Sequence, residues 1–255
     1  MENFLSAAIV TYNDIDKVRD AVLSIKENTK RYPLKLYIID NGSTDGTADY
    51  FKDYDLTVIE NGKNLGFGAA HNKVLNLPLG KYHFIINPDI VIKSDVLSDM
   101  ADFMEENPDV ALMMPNILNG DGSIQYLPKE IPTTRYLFLG RLARLGGNFK
   151  KIREEYVWAD REIADTADID FVSGCFMCIK SEVFKALGGF DERYFMYLED
   201  ADLTLRAKKM GRAVINPNIA VTHSWERESA KKLKYLFIHL SSARKFLRRR
   251  RKKEI

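Results

Sequence analysis

The sequence predicts an α/β domain built on a mixed, mostly parallel sheet flanked by helices and followed by a basic amphipathic C-terminal helix. Three observations carry this. Apolar runs of strand length alternate with segments of helical spacing as far as about residue 115, and each run ends in a cluster of polar turn formers. The 255 residues, 45% of them hydrophobic, are enough for one large core and too few to require two.

In chain order, Leu5–Val10 reads as a buried strand closed by Thr11-Tyr12-Asn13, after which Val18, Ala21, Val22 and Ile25 recur at helical spacing. Leu34–Ile39 is a second strand, stopped by the turn-rich Asp40–Gly46. Thr47–Asp53 continues as a short helix, Leu56–Ile59 as a third strand and Gly68–Leu75 as another helix. Tyr82–Ile86 is a fourth strand, ending at Asn87-Pro88-Asp89. Ser94–Glu106 is helical with Asn107-Pro108 as its stop, and Ala111–Pro115 is another short strand. Residues 118–165, with the turn Asn119-Gly120-Asp121-Gly122, show no clear period and read as a variable insert. Strands alternating with helices imply parallel order, and in such sheets ligands gather at the carboxyl ends of the strands, where the polar breaks lie.

Charge is unevenly spread. Residues 226–255 hold 12 Lys and Arg against 3 Asp and Glu, leaving 26 against 33 in the remainder. An acidic body argues against a nucleic-acid partner, whereas the basic end suits an anionic membrane surface. Within 231–253, Leu233, Leu236, Phe237, Leu240, Ala243 and Leu247 recur at three and four among Lys231, Lys232, Lys234, Arg244 and Lys245, before the cluster 248–253. The two readings are a peripheral membrane helix and a helix packed on the body with a solvated basic end. The longest near-apolar stretch, Phe171–Ile179, falls far short of the roughly 20 residues that span a bilayer. With no apolar leader and only Cys175 and Cys178, both read as core, a cytoplasmic location is expected.

Four segments could carry chemistry. Asp89, just past an apolar strand, could hold a hard divalent cation or simply cap a turn. Glu199, Asp200 and Asp202 open a helix, where one or two would favour the dipole and a third suggests a general base over a pocket. His223 could be a metal ligand or a structural histidine. The glycine-rich Asn64–Asn72 precedes a helix and could bring backbone amides against a phosphate or sugar.

In order and spacing, Val10–Asn13, Ile39–Asp45, Asn64–Phe67, Asn87–Asp89, Ser173-Gly174, Gly188–Asp191, Glu199–Leu203 and His223 resemble the family 2 glycosyltransferases of GT-A fold, in particular the rhamnosyltransferase-like branch. The resemblance covers about residues 5–225. It implies a Rossmann-like GT-A domain over 1–225, with a nucleotide-sugar-binding half to about 115, an acceptor and catalytic half over 116–225, and a basic tail over 226–255.

By that resemblance Thr11, Tyr12 and Asn13 line the nucleotide pocket, Asp40 bonds the base with Asn41 and Ser43 beside it, and Asn64, Gly66 and Phe67 close over the ribose and diphosphate. Asp89 matches the metal aspartate of the D-x-D motif, with Asn87 in place of the first aspartate, and His223 completes the Mg²⁺ or Mn²⁺ site. Asp200 is the implied base and Glu199 the alternative. The implied reaction is an inverting transfer from a dTDP- or UDP-sugar, dTDP-rhamnose being the best match. The acceptor would be a glycan or lipid-linked hydroxyl, in bacterial cell-surface polysaccharide synthesis at the inner face of the membrane. Loops 64–72 or part of 118–165 would close over the site. The alternatives are an inactive nucleotide-sugar-binding protein of the same fold and a nucleotidyltransferase, which lacks its lysine-containing glycine loop here.

Overall fold

The computed structural model describes residues 4–224 and 233–255, apart from the side chains of Arg141 and Arg144. The tail boundary at 225/226 and the expectations for Lys231 and Lys232 lie outside the described residues.

The first half alternates as far as β4: β1 (Leu5–Thr11), α1 (Ile15–Asn28), β2 (Leu34–Asp40), α2 (Thr47–Tyr50), β3 (Thr57–Glu60), α3 (Phe67–His71), β4 (Tyr82–Ile86), after which β5 (Ile90–Val91) precedes α4 (Val96–Glu106). The second half runs β6 (Val110–Leu118), α5 (Gly147–Tyr156), β7 (Ala167–Asp168), β8 (Phe176–Lys180), α6 (Ser181–Ala186), α7 (Glu199–Ala207), β9 (Arg212–His223) and α8 (Leu233–Arg251). All strands join one sheet in the order β3-β2-β1-β4-β8-β6-β9-β5, with β7 on the flank of β9. β1, β2, β3, β4, β6 and β9 run one way, and β5, β7 and β8 run against them.

Ile9, Ile38, Ile39, Ile85 and Ile86 are fully buried, as continuous apolar strands covered on both faces should be. α1 packs on β1 and β5, burying the small Ala21 together with Val18, Val22 and Ile25, each of these last three stabilising the fold by about 1.5–3 kcal/mol. β8 is the exception to the parallel rule that matters for function. Because it runs antiparallel between β4 and β6, its entry segment Ser173-Gly174-Cys175 lies at the same sheet edge as the exits of β1, β2 and β4.

The insert is more ordered than its lack of period suggests. A π-helical turn over Arg135–Leu139 runs into a 3₁₀ turn over Gly140–Leu145, and α5 returns beside them after Gly146 and Gly147, both at positive φ. α8 packs on the body through Ser242, Ala243 and Phe246, sharing a core with Leu137, Tyr194 and Leu198. Arg249, from the basic cluster, turns inward to Asp191 at 2.7 Å and to Asp202. Among the described residues no helix is long and apolar enough to cross a membrane.

Candidate active site

The loops after β1 and β2 are tied to one another. Asn13, at φ 54°, takes the left-handed conformation that Asn tolerates, and its Oδ1 accepts the Thr44 N–H at 2.7 Å while its own N–H donates to Ser43 Oγ at 2.9 Å. Asp40, buried at the end of β2, accepts the amides of Gly42 and Ser43 at 3.3 and 3.0 Å. Thr11 is buried beneath this edge and Tyr12 is half exposed above it.

Asn41 and Asn64 face inward. Asn41 Nδ2 donates to Asn64 Oδ1 at 3.1 Å, and Asn41 Oδ1 accepts Leu65 N–H at 2.9 Å. Gly66, at φ 87°, lies so close to residue 195 that a Cβ would stand 2.1 Å from the Phe195 carbonyl, which accepts the Phe67 N–H at 2.9 Å. Asn72 bonds both the N–H and the C=O of Phe190. Segment 64–72, read from sequence as a closing loop, is thus tied to the 190–195 turn at Phe67 and Asn72 and to Asn41 at its start.

At the exit of β4, the Asn87 N–H donates to the Cys175 carbonyl at 2.8 Å, seating Asn87-Pro88-Asp89 against the β8 entry. Asp89 Oδ1 stands 3.1 Å from Nε2 of His223, the last residue of β9. Gln125, whose N–H is held by the Ile117 carbonyl at 2.8 Å, spans His223 with both ends of its amide. Its Nε2 donates to the His223 carbonyl at 2.8 Å, and its Oε1 meets His223 Nδ1 at 3.0 Å. The carbonyl can only accept, so this assignment of the amide puts the proton on Nδ1 and turns the Nε2 lone pair toward Asp89. Two acceptors 3.1 Å apart require a proton or a cation between them. One carboxylate and one imidazole suit a divalent ion that takes its other ligands from phosphate and water. No group of three potential metal-binding side chains occurs among the described residues.

On the other side of Ser173-Gly174-Cys175 stands the start of α7. Tyr197 and Leu198 both have positive φ, 72° and 68°, a strained entry of the kind found where a side chain must be aimed. Asp200 Oδ2 accepts the Gly174 N–H at 3.0 Å, and Asp200 Oδ1 accepts the Ala201 N–H at 3.0 Å. Burial pushes the Asp200 carboxyl up, and Lys129 with the two amides opposes that. Glu199 is pushed up to about 8, by burial first and then by the charge of Asp200. Of the two, Asp200 is the one that accepts the Gly174 amide and is drawn down by Lys129, whereas Glu199 carries the added charge of its neighbour. Asp202, equal to its neighbours in sequence, is fully buried in ion pairs with Arg206 and Arg249 and belongs to the framework. The Cys175 thiol is raised to about 11, chiefly by burial.

Gln125 and Lys129 were missed in the sequence. Both lie in the stretch without period, and both act on partners at least 70 positions away. The Lys129 ammonium lies 4.1 Å from the Phe171 ring centroid; burial pulls its pKa down, and Asp200 and Glu199 pull it back.

A mixed, mostly parallel sheet of this order is the GT-A fold of glycosyltransferases. The chain belongs to glycosyl transferase family 2, whose pattern matches residues 6–188, and it falls in the rhamnosyltransferase-like branch. It is 29% identical over 241 residues to the N-acetylglucosaminyl-diphospho-decaprenol L-rhamnosyltransferase of Mycobacterium tuberculosis, covering 88% of this chain and 76% of that one. It is 24% identical over 253 residues to rhamnosyltransferase WbbL of Escherichia coli K12, covering 95% and 92%. Among solved structures it resembles mannosyltransferase PcManGT from Pyrobaculum calidifontis, solved with GDP-Man and Mn²⁺, at a TM-score of 0.61 and 18% identity. That match covers 96% of this chain and 65% of the other.

Proposed function

We propose that this enzyme transfers L-rhamnose from dTDP-rhamnose to a hydroxyl of a lipid-linked glycan acceptor, with inversion, in the assembly of a bacterial cell-surface polysaccharide. The observation that supports the reaction type is the position of the Asp200 carboxylate at the β8 entry, where it accepts the Gly174 and Ala201 amides beside the buried Glu199. The names of the two rhamnosyltransferase relatives support the sugar, and that of the mycobacterial one supports a diphospholipid acceptor.

In this reading the residues divide the work along the sheet edge, the nucleotide half lying within 1–115 and the acceptor half within 116–225. Thr11, Tyr12 and Asn13 flank the nucleoside, and Asp40 keeps lone pairs for a base N–H beside those its own loop occupies. Ser43, anchored by Asn13, completes that wall. Asn41 and Asn64 hold Gly66 and Phe67 in place beside the donor. Asn87 faces the diphosphate without adding charge. Asp89 and His223 would hold Mg²⁺ or Mn²⁺, which neutralises charge on the leaving diphosphate.

Asp200 takes the proton of the acceptor hydroxyl as its oxygen forms the new bond to the anomeric carbon and the bond to the diphosphate breaks on the opposite face. General-base assistance of this kind contributes roughly 10²–10⁴-fold. Lys129 favours the ionised form of Asp200, against the burial that disfavours it. With 64–72 tied at Phe67 and Asn72, exclusion of water falls to the stretch 124–130 that carries Gln125 and Lys129. The reading is tested by incubating the enzyme with Mn²⁺, lipid-linked acceptor and separately dTDP-, UDP- and GDP-sugars. Labelled sugar should enter the lipid fraction from dTDP-rhamnose, and transfer only from another donor would refute the sugar assignment.

A further inference from the structure

The excursion that leaves the site at Lys129 has two unlike faces. Leu137, Ile152 and Tyr156 are buried against the body, and the Tyr136 and Tyr156 rings stack at 5.1 Å. The other side presents Phe138, Leu139, Leu142 and Leu145, the last of them 67% exposed. Four large apolar side chains within eight positions form a patch that a solvent-facing segment does not need. Residues 131–153 contain six Lys and Arg and no Asp or Glu, in a chain whose formal net charge is only +2. The shared core around Leu137, Ala243 and Phe246 places this excursion beside α8, where Leu236 and Phe237 are also exposed.

We propose that residues 135–151 are the surface on which the enzyme docks to an anionic lipid bilayer, with Phe138, Leu139, Leu142 and Leu145 entering the headgroup layer. An apolar stripe in a net cationic setting, six Lys and Arg against Glu130, Glu154 and Glu155 over 130–155 with Arg135 and Lys150 paired to the last two, fits that partner, because the stripe partitions while the remaining basic residues pair with lipid phosphates. A second protein surface would require acidic complements, and a second copy of this segment would set six cations against six. The basic end of α8, by contrast, has Arg249 committed to Asp191 and Asp202. Docking through the excursion turns the Lys129 side of the site toward the bilayer, where an acceptor's head group would enter. The inference rests on the lipid-linked acceptor only for that direction of approach, and binding to vesicles is measured without donor or acceptor, so either reading can fail alone.

The test is co-sedimentation of the full chain with vesicles of phosphatidylcholine alone and of phosphatidylcholine with 30% phosphatidylglycerol (on the order of a bacterial anionic fraction). The wild type should bind only the anionic vesicles, and less so in high salt. Leu142→Asp/Leu145→Asp, at exposed positions, should lower the partition coefficient at least about tenfold while leaving metal-dependent release of nucleoside diphosphate from the donor unchanged. Lys150→Gln/Lys151→Gln should lower it by a smaller factor and weaken its salt dependence. Undiminished binding by the double Asp variant would overturn the proposal, as would wild-type protein that ignores anionic vesicles. It would also be overturned if the Leu positions changed only the sedimentation of the free protein, revealing a contact between copies.

Discussion

His223 Nε2 faces Asp89 Oδ1 at 3.1 Å because Gln125, 98 positions upstream of the histidine, fixes the proton on the opposite ring nitrogen. A hydrogen-bonded partner of this kind typically accounts for 10–100-fold in metal affinity. Gln125→Leu should therefore weaken Mn²⁺ binding by roughly that factor with little loss of thermal stability. Titration of free Mn²⁺ by electron paramagnetic resonance, with dTDP present, measures it. Unchanged affinity would mean that the Asp89–His223 pair is structural.

The close approach at Gly66 separates two kinds of positive-φ glycine. Gly66→Ala sets a Cβ 2.1 Å from the Phe195 carbonyl and should cost several kcal/mol, roughly 3, in denaturant unfolding. Gly62→Ala, at φ 65° in open space, should cost only about 1 kcal/mol. Equal costs would show that segment 64–72 is not anchored at residue 195.

His71 and His83 are fully buried, and burial pulls both down to about 3. The folded pKa lies below the unfolded value of about 6.5, so their contribution is complete above pH 6.5 and is lost as pH falls toward 3. Each removes about 1.4 kcal/mol per pH unit across that window. Neither ring nitrogen of His71 has a hydrogen-bond partner. His71→Leu should stabilise the protein by about 1–3 kcal/mol at pH 7.5 and flatten the acid slope, as read by urea unfolding at pH 7.5 and 5.

Glu199 gives the opposite sign. Its folded pKa, about 8, lies above its unfolded value, so its contribution is complete below about pH 4.5 and disappears as pH rises through 8. Glu199→Gln should remove that alkaline loss, leaving the variant more stable than the parent at pH 9 in the same unfolding assay. A parallel loss in both proteins would place the proton elsewhere.

Much of this was legible in the sequence because β1, β2 and β4 are largely apolar runs, interrupted inside only by Ser6, Lys35 and His83, that stop at turn formers, and the stops are where Asn13, Asp40 and Asp89 lie. The antiparallel β8 was less legible: an apolar run records burial on both faces and not direction. α5 was hidden behind Gly146-Gly147 and a mostly polar pattern. Gln125 and Lys129 left no local signal, since each is defined by a partner far away in the chain. The residue pattern alone did not separate Asp200 from Asp202, a choice that only the family resemblance made; in the fold they differ in whether Gly174 or Arg206 and Arg249 stand opposite.

The claim that Asp200 is the base is tested most directly by the rate of nucleoside diphosphate release from dTDP-rhamnose with Mn²⁺ and acceptor, comparing Asp200→Asn with the parent. The account predicts a fall of about 10²–10⁴-fold in kcat with donor binding within a few fold of the parent. An Asp200→Asn variant that keeps the parental kcat would contradict it.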